Sequence, residues 1–265
     1  MKTLATLSAI AMLATIGSAQ TYYSVDVVND VLYKVNPTTG VATAVGPLGT
    51  DVDGVDMAWH QGALYAKSFG TTSGNRIYQL VTVGMYAGFA LPGALINGGG
   101  YQGAEIAGLA SDGSNLYVTY SNQPPVNFYS TNFGRINPMT GTITSPMTIS
   151  TDADAMGYVG GKFWTMDVIA PGSGYQLYNG TSVPNNYVGG DTYDNALSVN
   201  PVDIENYSSN ALVTIGQTGR YLVRISKLNG ARLSWTPITG IPNNAFMKGI
   251  AYAPPCLQLG DKNPN

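Results

Sequence analysis

The chain has 265 residues, of which 44% are hydrophobic and only 10% charged. That apolar content supports a sizeable core and excludes a disordered chain. Lys and Arg total 12 against 15 Asp and Glu, a net charge of −3, which excludes the basic footprint of a nucleic-acid binder.

The N-terminus carries a targeting pattern. Met1-Lys2-Thr3 is a short positive segment, Leu4 to Ile16 is an apolar run, and Gly17-Ser18-Ala19 is a small-residue cleavage site before Gln20. Residues 1–19 are therefore expected to be a signal peptide, 20–255 the folded domain and 256–265 a tail. The apolar run is shorter than the roughly 20 residues of a membrane span, so no span is expected in the mature chain. That chain is expected outside the cytoplasm: secreted, periplasmic or at the cell surface. The single cysteine, Cys256, follows Pro254-Pro255 and cannot staple the fold. It reads as a passive residue of the tail.

In chain order, Tyr22 to Val27 predicts a strand and Asn29-Asp30 a turn. Leu32 to Gly46 then predicts a hairpin. Pro37 presets the first corner, Asn36 can bond back to its own backbone, and Gly40 supplies a positive φ. The unit recurs at Asn137-Pro138-Met139-Thr140-Gly141, so the interval from Asn36 holds two units of about fifty residues, a blade-like period. Asp53 to Trp59, a His60-Gln61-Gly62 turn and Ala63 to Lys67 begin the first copy, continued by strands at Arg76–Val83 and Tyr86–Leu91. Glu105 to Ala110 with Leu116 to Tyr120 begins the second copy, and Asp152 to Tyr158 with Lys162 to Thr165 the third. The third continues at Gly174–Tyr178 and Ser182–Val188. The fourth is expected to start at Ala196-Leu197-Ser198-Val199 and to continue through Ala211–Ile215, Tyr221–Ser226 and Arg232–Thr236. A fifth, Lys248 to Tyr252, supplies one strand and stops.

Short strands punctuated by Gly and Pro, with no helical periodicity past the leader, predict an all-β fold. Four-stranded repeats at this period predict a five-bladed β-propeller. The three N-terminal strands are those the fifth copy lacks. Pairing of the N- and C-terminal strands would thus close the ring and remove a free sheet edge.

The Leu-Tyr-x-Val-Asn-Pro-x-Thr-Gly pattern, with Gly-Ile-Ala-Tyr and Leu-Tyr strands, resembles the secreted bacterial propeller repeats grouped with NHL and YVTN families. These are turn and packing residues, so the resemblance implies a fold and no particular chemistry.

For chemistry, the alignment of copies places Asp53, Glu105 and Asp152 just before the first strand of three blades, with Lys248 entering from the fifth. Such a ring at one channel mouth suits a polar ligand or a hard cation such as Ca²⁺ on Asp53, Glu105 and Asp152. Like charges sharing a mouth are costly unless compensated, and a wet rim needs no ligand. Glycoside hydrolysis asks for a carboxylate pair. Glu205, the other glutamate, reads as part of an insertion at Pro201–Asn210, outside the channel-lining strands. His60, the sole histidine, reads as a solvated turn residue, and Gly98-Gly99-Gly100 as a loop between blades. The tyrosines with Trp59, Trp164 and Trp235 read as blade core rather than ligand platform. Asn179-Gly180-Thr181 and Asn206-Tyr207-Ser208 match the glycosylation triplet.

The expectation is an exported, non-catalytic binding or structural module. It would recognise a protein or glycan through its loops and channel mouth, with self-assembly open to a chain so poor in charge. No cofactor and no nucleic-acid partner are expected. The alternative is an exported carbohydrate-active enzyme, a glycoside hydrolase or lyase, using the channel-mouth carboxylates.

Overall fold

The computed structural model describes residues 21–254 apart from 53–55, 69–75, 99–100, 103–104, 122–131, 151–152, 154, 171–173, 182–185, 192–203 and 217. The expected strand at 196–199, residue 99 onward of the glycine run, and Cys256 thus lie outside the described residues.

Among the described residues twenty-two strands alternate with turns. They are β1 (Thr21–Asp26), β2 (Val31–Val35), β3 (Ala42–Pro47), β4 (Met57–His60), β5 (Ala63–Ser68), β6 (Arg76–Leu80), β7 (Ala90–Leu95), β8 (Asn97–Gly98), β9 (Tyr101–Gln102), β10 (Glu105–Ser111) and β11 (Leu116–Ser121). They continue as β12 (Asn132–Ile136), β13 (Thr142–Thr148), β14 (Ala155–Val159), β15 (Lys162–Ala170), β16 (Gly174–Gly180), β17 (Asn186–Asp191), β18 (Glu205–Asn206), β19 (Ala211–Ile215), β20 (Tyr221–Ser226), β21 (Arg232–Pro237) and β22 (Met247–Ala253). Among the described residues no helix is long and apolar enough to cross a membrane.

These strands form five antiparallel blades: β4–β7, β10–β13, β14–β17, β18–β21, and a closing blade ordered β22-β1-β2-β3. The inner strands β22, β4, β10, β14 and β18 touch one another in a complete circle. The chain is a five-bladed β-propeller. Its seam is the antiparallel pairing of β1 with β22, in which Tyr22 faces Tyr252 and Asp26 faces Met247. Buried Asp26 fastens that seam, accepting hydrogen bonds from the backbone N–H groups of Val28 and Phe246 and from the Asn29 amide.

The core is divided accordingly. Five apolar clusters occupy the five interfaces between neighbouring blades, rather than one central mass. At one ring position in four of the blades a small inner-strand residue is directly paired with an aromatic of the next strand: Ala58 opposite Tyr65, Ala110 opposite Tyr117, Gly157 opposite Trp164, and Ala251 opposite Tyr23. Directly paired residues share a face of the sheet, so each ring covers a small residue and packs toward the adjacent blade.

The Asn-Pro-x-Thr-Gly turns form as expected. Asn36 Oδ1 accepts the N–H groups of Thr38 and Thr39, and Asn137 Oδ1 those of Met139 and Thr140. Gly40 and Gly141 have φ of +72° and +68°. Each also docks on a neighbouring blade: a Cβ at Gly40 would lie 2.0 Å from the Pro237 carbonyl oxygen, and one at Gly141 2.0 Å from that of Leu95. The turn motif is therefore a blade-docking element as well. Gly141→Ala should destabilise the fold by roughly 2 kcal/mol, combining left-handed strain with a backbone clash. Urea denaturation checks this, and a change below about 0.5 kcal/mol would mean that the blades separate at no cost.

Two strand boundaries differ from the sequence reading. The hairpin of the first blade has strands at Arg76–Leu80 and Ala90–Leu95, with the expected second strand displaced toward the C-terminus. Gly84 and Gly88, both at positive φ, bend the chain between them, and the exposed Val83, Met85 and Tyr86 ride on that bend. Gly98 is also more than loop: β8 adds in parallel to the outer edge of β13.

Candidate functional site

The inner strands converge on a cavity of about 390 Å³ at the end of the ring where they run into their first turns. Every blade contributes to it: Ala58 and Trp59 from β4, Leu109 to Ser111 from β10, Gly157 and Tyr158 from β14, Glu205 from β18 and Tyr252 from β22. Ala58, Ala110 and Gly157, the small residues paired with blade aromatics, leave it room. Gly157 matters most there, since a Cβ on it would lie 1.9 Å from the Ile204 carbonyl oxygen of the fourth blade.

Glu205 breaks the pattern. It pairs with Val213, so it occupies the ring position held elsewhere by Ala58, Ala110, Gly157 and Ala251, while Val213 stands where the other blades have an aromatic. The two exchanges compensate: a larger inner residue meets a smaller cover. Glu205 is half-buried, and its carboxyl group interacts electrostatically with Tyr22 and Tyr252 of the closing blade. Burial pushes its pKa up to about 8, against the opposing effect of hydrogen bonds from the backbone N–H groups of Tyr252 and Asn206. Burial likewise pushes the Tyr22 hydroxyl well above the ordinary phenol range, with Glu205 adding to the shift.

The segment carrying Glu205 is clamped from three sides. The Tyr22 hydroxyl donates to the Asn206 carbonyl. Lys227 Nζ donates to Asn206 Oδ1 and to the Ser208 carbonyl, at 2.7 Å each. The Arg224 guanidinium lies 4.2 Å from the centre of the Tyr207 ring. The side chain of Asn206, in one of the two glycosylation triplets, is thus engaged by Lys227.

The placement of Glu205 corrects the sequence reading: it belongs to an inner strand and lines the channel. The signal was present but offset. Seven residues separate Ala58 from Tyr65, Ala110 from Tyr117 and Gly157 from Trp164, whereas eight separate Glu205 from Val213. One extra turn residue takes the fourth copy out of gapless register.

Of the sequence-derived candidates, two have a described backbone, and both start their strands away from the pocket. Glu105 is the first residue of β10 and Lys248 the second of β22, so the backbone places both where the inner strands begin. Four residues of strand, about 13 Å, separate each from the first pocket residue on its own strand, Leu109 or Tyr252. Lys248 is half-buried, with its ammonium 5.6 Å from the centre of the Phe246 ring. Asp53 and Asp152 lie outside the described residues, as does the side chain of Glu105. Among the described residues no group of three or more His, Cys, Asp or Glu is placed to hold a metal ion.

His60 is also corrected. It is buried, 6% exposed, and its Nδ1 hydrogen-bonds Ser111 Oγ at 2.8 Å, tying the first blade to the second. Burial lowers its pKa, with Asp112 opposing. Of the tryptophans, Trp164 is core, Trp59 is half-buried and stacked on Tyr23, and Trp235 is exposed beside Arg232.

Neither a protein-family model nor a curated protein sequence matches the chain. Solved structures do match in shape. A chain of the nidogen/laminin complex aligns with a TM-score of 0.52 at 11% identity, covering 88% of this chain and 98% of that one. The glutaminyl cyclase of Myxococcus xanthus aligns with a TM-score of 0.50 at 15% identity, covering 76% and 81%. The PQQ-bound aldose sugar dehydrogenase of Streptomyces coelicolor gives 0.47 at 15% identity, covering 87% and 81%. At such identities the likeness is one of fold alone, and the ring of five sheets makes that fold a β-propeller with a carboxyl group set into its channel wall.

Proposed function

We propose that the chain is an exported, non-catalytic binding module that acts outside the cytoplasm. In this reading it takes a small group of a protein or glycan partner into the channel pocket. The observation that carries it is the pocket itself, the place where all five blades meet, with Trp59, Tyr158 and Tyr252 lining it. Half-exposed aromatic rings offer flat apolar area with little entropy to lose, which suits a sugar face or a peptide end. The leader-like residues 1–19 and the resemblance to secreted NHL- and YVTN-type repeats support export.

A glycan and peptide panel screened against the mature chain tests this reading. Tyr158→Ala should weaken any hit by roughly tenfold, the scale of one lost aromatic contact. A hit that ignores both Tyr158→Ala and Glu205→Gln would move recognition to the outer loops. Export is checked by N-terminal sequencing of the extracytoplasmic protein, which should begin at Gln20.

Glu205 also favours a second reading, an exported carbohydrate-active enzyme. A carboxyl held protonated near neutrality is suited to general acid work. Among the described residues lining the pocket it is the one carboxyl group, so this reading needs its partner base from Asp53, Asp152 or another position. Turnover of a glycan by the native chain, abolished in Glu205→Gln, would select it.

A further inference from the structure

Glu205 is more than a plain pocket requires. Small residues at the same ring position close the wall in the other four blades and leave no polar atom to satisfy. In the fourth blade a carboxyl group is set beside Tyr22 and Tyr252, and two backbone N–H groups donate to it. Two donors aimed at one carboxyl group match its acceptor-only, ionised form. Among the described residues lining the pocket there is no Lys, Arg or His. Lys227, which bonds the adjoining Asn206, directs two of its three donors to Asn206 Oδ1 and the Ser208 carbonyl and does not line the pocket.

A buried carboxylate with no counter-charge is among the costliest groups a protein interior can hold. Resting on the channel-binding reading above, we propose that the ligand group seated against Glu205 is a primary ammonium, borne by the amino end of a peptide or by an amino sugar. An ammonium offers three donors. One meets the carboxylate, and the Tyr252 hydroxyl oxygen is an acceptor in the same neighbourhood. The aromatic residues lining the pocket favour a cation over a neutral polar group of equal size. Before a ligand binds, burial keeps the carboxyl protonated at neutral pH. Seating the ammonium therefore ionises Glu205 and releases its proton to solvent, with no covalent bond made or broken on the ligand.

The test is calorimetry on the mature chain with two matched pairs of probes. These are alanine amide against N-acetylalanine amide, and glucosamine against N-acetylglucosamine, at pH 6.5 in two buffers of different ionisation enthalpy. The amines should bind, their acetylated partners should bind at least tenfold more weakly, and about one proton should be released per amine bound. Affinity should rise by up to about tenfold per pH unit below the carboxyl pKa. The tighter of the two amines identifies the source as peptide or sugar. Glu205→Gln, verified as folded by its melting curve, should lose amine binding by at least tenfold.

Equal binding of amine and acetylated probes, or binding without proton release, overturns the ammonium assignment and leaves the channel-binding reading standing. Silence of both pairs also overturns the assignment. If the glycan and peptide panel is silent as well, the channel-binding reading falls with it.

Discussion

At pH 8.5 the Glu205→Gln variant is expected to melt at a higher temperature than the native chain, and at pH 4 the two should melt together. The carboxyl pKa rises from 4.5 to about 8 on folding. Below 4.5 both the folded and unfolded chains hold the proton, so the site adds no pH dependence. Between 4.5 and 8 the unfolded chain has lost the proton that the folded chain retains. Stability therefore falls as pH rises through that window, and the penalty is complete above it. At pH 7 the penalty is about 3 kcal/mol, taking roughly 1.4 kcal/mol per pH unit. Glutamine carries no charge at any pH and keeps an oxygen for the N–H groups of Tyr252 and Asn206. For a domain of this size the difference corresponds to roughly 10 °C in Tm near pH 8. A native chain as stable as the variant at pH 8.5 would mean that the carboxylate is already compensated by protein or water. That result would remove the physical basis for a cation in the pocket.

Lys67→Met is expected to cost about 4 kcal/mol at pH 7, one of the largest single-residue losses available in this fold. Lys67 Nζ lies 3.0 Å from Asp56 Oδ2, with side chains 7% and 3% exposed, and the Lys67 N–H donates to the Asp56 carbonyl. Methionine fills the volume of the lysine stem but removes the ammonium from a carboxylate that water does not reach. The double variant Lys67→Met/Asp56→Ala should recover most of the loss, because the carboxylate that lost its ammonium goes as well. Chemical denaturation of the two single variants and the double variant measures the coupling. A single-variant loss below 1 kcal/mol would mean that solvent enters the interface and carries the charge. The pair is particular to the first blade. In the second, the residue two beyond the ring aromatic is Thr119, whose hydroxyl donates to the Ala153 carbonyl instead.

Much of this molecule is legible in its residues taken in order. Asn36 and Asn137, each followed by Pro and, four residues on, by Gly at positive φ, specify their turns through bonds spanning three residues or fewer. Period-two alternation between such turns specifies strands. Five copies with a split last blade specify the ring and its seam, Tyr22 against Tyr252. These signals are local, so a single chain displays them. Tertiary structure alone decided three matters: that Glu205 enters the channel, that His60 is buried against Ser111, and that Asp56 and Lys67 meet out of water. Each depends on which blade faces which, and on a register that one added residue in the fourth copy displaces. The cost of a charge is set by the atoms that enclose it, and those atoms come from strands remote in the sequence. Turn chemistry therefore revealed the frame of this protein, and only the convergence of five inner strands revealed the carboxyl group that lines its channel.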